Sequence, residues 1–352
     1  MISHAAVSLS VCVPAYNRGA VLRELLDSIL TQDFDDYEVV ICEDQSPERS
    51  QIRHVVETLP EAWRPRVRYF ENDMNLGYDG NVRNVIEKAR GEYCVLMGND
   101  DLMCPGALKR VAAGLRSHPN VGVLLRTYAS FDTTPDQINQ VFRYFDGERW
   151  FEPGRSTIVT FFRRSVVLPG LVLHRADAVT YATAEFDGTL LYQLYLVGRI
   201  LTERSGLFLP EVLTLYRNGG TPHFGNSDAE KGKFVPGTIT PEASLHFMAS
   251  MLRIAAQVEQ QSGLPVYQPI VKDLSNYSYP FLAVQAHQAW PVFLRYCWKL
   301  ARLGFGRYPM FHLYFMSLCT IGPRRVESII RWIKKRLGYT PALGGVYQGR
   351  TV

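Results

Sequence analysis

Two adjacent carboxylates, Asp100 and Asp101, end the apolar run Val95-Leu-Met-Gly-Asn-Asp-Asp101. Neighbouring carboxylates repel each other and resist desolvation, so at the end of a buried strand they need a partner such as a cation. A hard, oxygen-seeking ion, Mg²⁺ or Mn²⁺, suits that position, above all one that also carries a phosphate. The competing reading is a helix start, because Asp101 is followed by Pro105 and Ala107-Leu108. Taken alone, the run leaves the two readings level.

Three further polar clusters upstream tip the balance. Ser8-Leu-Ser-Val-Cys-Val-Pro14 is β-branched and apolar and gives way to Ala15-Tyr-Asn-Arg18; Tyr37-Glu-Val-Val-Ile-Cys42 gives way to Glu43-Asp-Gln-Ser46. Arg66-Val-Arg-Tyr-Phe70 is followed by Glu71-Asn-Asp-Met-Asn-Leu-Gly77. Asn17, Asp44, Asn75, Arg83 and Asp100 are the polar side chains these endings offer.

The elements that must position them alternate. Val21, Leu22, Leu25, Leu26, Ile29 and Leu30 form one helical stripe, and Val82, Val85, Ile86 and Ala89 another. Strands alternating with helices at this spacing predict a mostly parallel, Rossmann-like α/β sheet covered by helices on both faces. Ligands of such sheets bind at the carboxyl ends of the strands, where all of these clusters fall.

Val13-Pro-Ala-Tyr-Asn17, Glu43-Asp-Gln-Ser46, Asn75-Leu-Gly77 with Arg83-Asn84, and Asn99-Asp-Asp101 follow one another in an order and spacing that resembles family 2 glycosyltransferases of the GT-A fold. The resemblance covers roughly residues 8–215, weakens after about 130, and is nearest to bacterial enzymes of O-antigen and other surface polysaccharides, abequosyltransferase-like ones included. It implies a nucleotide-sugar pocket in which Pro14, Ala15, Tyr16 and Asn17 line the nucleoside and Asp44 bonds the base. It further implies that Asn75 and Gly77 shape the loop over the ribose and that Arg83 meets the diphosphate or holds that loop. Asn99 and Asp100 complete the donor site, and Asp100 and Asp101 are the implied metal ligands. A guanidinium at a helix start is independently well placed for an anion.

The chain departs from the family pattern twice. The acidic motif usually opens with an aspartate where this chain has Gly98, so one ligand of the usual set is missing. Downstream, the family's Glu-Asp pair precedes an apolar helix ending in arginine; here Leu190-Leu-Tyr-Gln-Leu-Tyr-Leu-Val-Gly-Arg199 carries Tyr192-Gln193 in that place. An inverting transfer needs a base to take the acceptor hydroxyl proton. Asp187 is the leading candidate, with Glu185 beside it and Asp177 behind. An ordinary turn at Phe186-Asp-Gly188 is an equal reading.

Composition bounds the rest. The 352 residues, 47% hydrophobic, suffice for a sizeable core and a second region. Cys12, Cys42 and Cys94 fall inside expected strands, and the six cysteines show no CxxC pair, a pattern of a reducing, cytoplasmic setting. No basic segment precedes the first apolar strand, so no signal peptide is expected. Against a net charge of +4, residues 290–340 hold ten Lys or Arg and a single acid, Glu327. A basic, aromatic-rich tail on a mildly acidic remainder points to an anionic surface and not to nucleic acid. Val326, Ile329, Ile330, Ile333 and Leu337 mark one helical face, framed by Arg324, Arg325, Arg331, Lys334, Lys335 and Arg336, the profile of an interfacial helix. An ordinary helical region packed on the sheet is the plainer alternative. The uncharged stretch from Tyr308 to Pro323 is too short to span a bilayer.

The expected organisation is a GT-A catalytic domain over 1–215, a Gly/Pro-rich loop or lid over 216–240 that includes His223, and a basic helical region over 241–352. The expected activity is sugar transfer from a nucleotide-sugar donor to a glycan or lipid-linked oligosaccharide acceptor, at the inner face of the membrane, with a divalent metal. A nucleotidyltransferase shares the sheet but wants a Gly-rich basic loop after the first strand, which Pro14-Ala-Tyr-Asn-Arg-Gly19 does not provide. A non-catalytic nucleotide-sugar or glycan-binding module is the rival left by the missing Glu-Asp pair. The sugar, the nucleotide base and the oligomeric state stay open.

Overall fold

The computed structural model describes residues 8–220 and 222–336. Its ten strands are β1 (Leu9–Ala15), β2 (Tyr37–Glu43), β3 (Val67–Glu71), β4 (Tyr93–Leu96), β5 (Leu102–Met103), β6 (Val121–Phe131), β7 (Ile138–Phe142), β8 (Arg149–Phe151), β9 (Leu171–His174) and β10 (Ser205–Arg217). The helices are α1 (Gly19–Leu30), α2 (Arg49–Glu57), α3 (Gly77–Lys88), α4 (Ala107–Ser117), α5 (Arg155–Phe162), α6 (Arg175–Thr180), α7 (Tyr192–Ile200), α8 (Pro241–Ser262), α9 (Tyr267–Asn276), α10 (Tyr279–Gln285), α11 (Trp290–Arg302), α12 (Pro309–Thr320) and α13 (Pro323–Arg336).

One sheet runs in the order β3-β2-β1-β4-β9-β6-β10-β5. The first four strands are parallel, in register from Leu9↔Tyr37 and Leu9↔Tyr93. Of these, β1, β2 and β4 are buried on both faces, which is why β1 and β4 read as unbroken apolar runs. The stripe Leu22, Leu25, Leu26 and Ile29 seals one face, and Val82, Val85 and Ile86 seal the other. Beyond β4 the sheet is mixed, where the sequence had predicted a mostly parallel one: β9 lies antiparallel between β4 and β6, and β5, β7 and β8 are also antiparallel. The carboxyl ends of β1, β2 and β4 share one edge, so the polar endings meet by topology.

The C-terminal helices share their core with the sheet. Leu194 and Val197 of α7, Met251 and Val258 of α8, and Phe293 and Leu300 of α11 belong to the same apolar cluster as Leu96 and Val123. Gly198 permits the close crossing of α7 and α8, because a Cβ there would lie 2.6 Å from Val258. Along α13, Val326 is buried while Ile329 and Trp332 are exposed; Leu337 of the expected stripe lies outside the described residues. Among the described residues no helix is long and apolar enough to cross a membrane.

Candidate functional site

The turn after β1 is unusual. Asn17 and Arg18 have φ of 53° and 63°, a left-handed pair without a glycine. Such residues cost about 1–2 kcal/mol each and persist only where surroundings dictate them. Here the Asn99 side-chain amide donates to the Asn17 carbonyl at 2.8 Å, and Arg18 Nη1 lies 2.6 Å from Asp100 Oδ2. The strained turn therefore aims Arg18 at the acidic motif.

At the end of β2, Asp44 is the hub of a polar network. Its Oδ1 accepts from Asn72 Nδ2 at 2.7 Å and from the Leu76 N–H at 2.8 Å. Asn72 is bonded in turn to Asn81 and Asn84, and Asn81 donates to the Cys42 carbonyl. Burial nonetheless pushes the Asp44 carboxyl up to about 6, against the opposing pull of those hydrogen bonds. Beside it, Asn75 Oδ1 accepts the Gly77 N–H at 2.9 Å, an Asx turn that opens α3.

Across this edge lies the 218–240 segment. Glu230, buried, accepts from the Tyr78 N–H at 2.7 Å and from the Gly225 N–H at 2.8 Å. Gly77, at φ 74°, leaves the room in which Ser227 and Glu230 sit; any Cβ there would collide with both. His223 approaches Asn17 at 3.5 Å and Tyr16 at 6.1 Å between ring centroids. Burial and the Arg18 charge depress its pKa, so its imidazole is neutral at pH 7.

These pieces form an open cleft lined by Pro14, Tyr16, Asp44, Asn75, Gly77 and Asn99, with Arg18, Asn81 and Glu230. Ala15 is buried in the sheet behind it.

The acidic pair divides its duties. Asp101 Oδ1 accepts the Arg217 N–H at 3.0 Å, and Arg217 Nε donates to the Asp100 carbonyl at 2.9 Å. The other Asp101 oxygen folds over Gly98, where any Cβ would collide with it. Gly98 thus leaves the space into which the Asp101 carboxylate folds, and a side chain at 98 would require that carboxylate to move. Helix α4 begins at Ala107 behind Gly106, so Asp101 caps no helix. Burial raises both carboxyls, and Asp100 raises Asp101 further. Among the described residues no cluster of three His, Cys, Asp or Glu could hold a metal by itself. The donor set still fits a hard divalent ion that draws its remaining ligands from phosphate: the Asp100 carboxylate, which here holds a guanidinium, and the neutral His223 imidazole. Asp101, expected as the second ligand, is committed to Arg217 and braces the motif.

Arg83 does not line the cleft. Its two Nη atoms meet Asp187 at 2.6 and 2.8 Å, and Nη1 also donates to the Thr183 carbonyl. Glu185 is exposed; its carbonyl accepts from Arg253 and its N–H donates to the Thr183 hydroxyl. Asp177 sits with His174 and Arg204 at the opposite edge of the sheet, since His174 pairs with Tyr93 at the start of β4. The segment before α7 is held by a residue the sequence reading did not single out. Asp79, wholly buried, accepts the Thr189, Leu190 and Tyr192 N–H groups at 2.8–2.9 Å. Glu230 and Arg18 were also missed: Glu230 has no local signature, and Arg18 owes its role to a turn held by Asn99 and Asp100 after the neighbouring strand β4.

Residues 10–175 match the model of the Glycosyl transferase family 2. The chain is 36% identical over 101 residues to a GalNAc(5)-diNAcBac-PP-undecaprenol beta-1,3-glucosyltransferase of Campylobacter jejuni, covering 28% of this chain and 32% of that one. It is 28% identical over 113 residues to the abequosyltransferase RfbV of Salmonella typhimurium, covering 32% and 34%. The match thus spans about a third of the length of these curated relatives. Among solved structures, Staphylococcus aureus TarS 1-349 in complex with UDP-GlcNAc superposes with a TM-score of 0.57 at 16% identity, over 84% of this chain and 80% of that one. A mannosyltransferase from Pyrobaculum calidifontis, in complex with GDP-Man and Mn²⁺, gives 0.51 at 15% identity over 92% and 87%. At these identities the structural likeness establishes the GT-A fold.

Proposed function

We propose that this chain, whose residues 10–175 match the Glycosyl transferase family 2 model, is a member of that family and transfers a sugar from a nucleotide-sugar donor to an acceptor hydroxyl in the synthesis of a bacterial surface polysaccharide. The observation that carries the reading is the cleft at the ends of β1, β2 and β4, where Tyr16, Asp44 and Asn75 stand on one side and Arg18, Asn99 and Asp100 on the other. The nucleoside occupies the Asp44 side, with Asp44 accepting from the base and Tyr16 against the ring. The diphosphate lies toward Arg18 and Asp100. Asp100 and His223 would hold a divalent ion there, which would supply charge to offset that on the leaving diphosphate. Arg18 is displaced from Asp100 onto a phosphate oxygen, where a guanidinium binds well. The 218–240 segment, pinned through Glu230, closes the cleft against water.

Asp187 is the acceptor base in this reading, and Arg83 its positioning residue, fixing the carboxylate by two parallel hydrogen bonds. The relatives' names support a polymeric or lipid-linked acceptor. Docking to an anionic membrane follows from the exposed Trp290, Leu294 and Trp298 of α11, interleaved with Arg295, Lys299 and Arg302. Calorimetric titration with a panel of nucleoside diphosphates and their sugars, then assay of sugar release or transfer, tests the function. Binding of a nucleotide with turnover supports it; binding without turnover on any acceptor would leave a sugar-nucleotide-binding module instead.

A further inference from the structure

Arg126 of β6 is wholly buried. Its Nη2 donates to the Val167 carbonyl at 3.3 Å, whereas Nε and Nη1 are buried without a hydrogen-bond partner. Arg164 repeats the pattern: Nη1 donates to the Thr160 carbonyl at 2.6 Å, and its buried Nε has no partner. Tyrosines connect the two. Arg126 lies 5.0 Å from the Tyr128 ring centroid, Tyr128 and Tyr144 are 6.4 Å apart, and Arg164 is 5.7 Å from Tyr144. Further out, Arg163 stacks 4.0 Å over the exposed Tyr277 and pairs with Asp273 at 2.8 Å. A ladder of guanidinium and aromatic groups thus runs from the surface to Arg126.

Its inner end adjoins the cleft. Val167 precedes Leu168, which lines the cleft, and Gly170 packs so closely that a Cβ there would lie 2.9 Å from Arg126 Nε. This end lies beyond β9, on the flank away from Asp44. A buried guanidinium is costly unless paired. The carboxylates at hand are committed, Asp273 to Arg163 and Asp101 to the Arg217 N–H, and among the described residues no ion pair joins Arg126 or Arg164 to an acid. Asp101 acts on Arg126 only through space. An anion from outside the chain could pair with these N–H groups.

We propose that Arg126 and Arg164 form an oxyanion subsite on the acceptor side of the cleft, which takes a phosphate or carboxylate carried by the acceptor. The assignment to the acceptor rests on the nucleotide-sugar reading of the neighbouring cleft. Aromatic rings leading inward suit the apolar faces of sugars, and a guanidinium with unused N–H groups suits a planar or tetrahedral oxyanion.

The test is thermal unfolding of the full chain, with a saturating nucleoside diphosphate, titrated with inorganic phosphate and separately with glucuronate. One of the two anions should raise the melting temperature in a saturable way, and which one does so identifies the oxyanion. R126M should lose this rise yet keep the nucleotide's own shift, and R164M should need at least tenfold more anion. Without anion, R126M should melt no lower than the parent, because the buried charge removed had no ionic partner. A response to neither anion, an unchanged response in R126M, or an R126M that melts well below the parent or fails to fold would overturn the subsite. If no nucleoside diphosphate shifts the parent protein, the nucleotide reading fails; the same anion titrations run without nucleotide then decide the subsite alone.

Discussion

At the scale of single residues, Asp44 carries opposite pH signatures for folding and for binding. Its carboxyl is pushed up to about 6 by burial, above the ordinary 3.8. Its contribution to stability is therefore fully present below about pH 4 and lost as pH rises through 6. Nucleotide binding runs the other way, since the base needs the ionised acceptor. Affinity for the free nucleotide should fall as pH drops from 7 to 5, while this group's share of the stability rises; parallel titrations by calorimetry and thermal melts check both. Asp44→Ala should weaken nucleotide binding by about 1–3 kcal/mol, and unchanged affinity would remove Asp44 from the base pocket. For Asp100→Ala, transfer and metal-dependent nucleotide binding should both disappear with the fold intact. Activity retained in the presence of a chelator would sink the ion-site reading. Asp187→Asn should keep nucleotide affinity and lose turnover by roughly a hundredfold or more, the usual scale for a general base; full turnover would make the Arg83 pair a structural strut.

At the scale of elements, two devices hold the cleft's walls. Asp79 gathers three N–H groups of the segment that enters α7, where Leu190 adopts φ 62°. Removing the carboxylate leaves those buried donors without partners, so Asp79→Ala should cost about 2–4 kcal/mol of stability, measured by denaturant unfolding. A loss within experimental error would mean the segment is held by packing alone. Gly77 is the second device. A side chain there meets both a left-handed φ and the Ser227-Glu230 pair of the covering segment. Gly77→Ala should loosen that segment, seen as faster proteolysis between 218 and 240 and weaker nucleotide binding, without loss of the sheet.

At the scale of the molecule, the catalytic sheet and the C-terminal helices share one apolar core, so the basic region is tied to the site and is no free tail. Removing residues 324–352 takes away α13 from Arg324 on, whose described side chains are exposed apart from Val326. The truncated chain should fold and bind nucleotide but attach less to anionic liposomes, with a residual, salt-sensitive attachment through α11. Transfer to a water-soluble acceptor analogue should suffer less than transfer to a lipid-linked one. Liposome binding equal to the full chain's would confine the membrane face to α11 and α12.

Local pattern alone determined the first half of this chain. The apolar strands Leu9–Ala15, Tyr37–Glu43 and Tyr93–Leu96 and the striped helices between them are legible because parallel strands buried on both faces leave no choice of residue type. The same pattern brought Asp44, Asn75 and Asp100 to one edge, since each follows a strand of that sheet. The tertiary structure decided what those side chains hold. Arg18 faces Asp100, Arg83 faces Asp187, and Asp79 gathers residues more than a hundred positions away. Such pairings depend on where the antiparallel β9 and the 218–240 segment return to the sheet, and long-range hydrogen bonds to loops leave no periodic trace in sequence. Gly98 shows the limit most plainly. In sequence it is a missing acid, and only the structure shows that the Asp101 carboxylate occupies the space beside it.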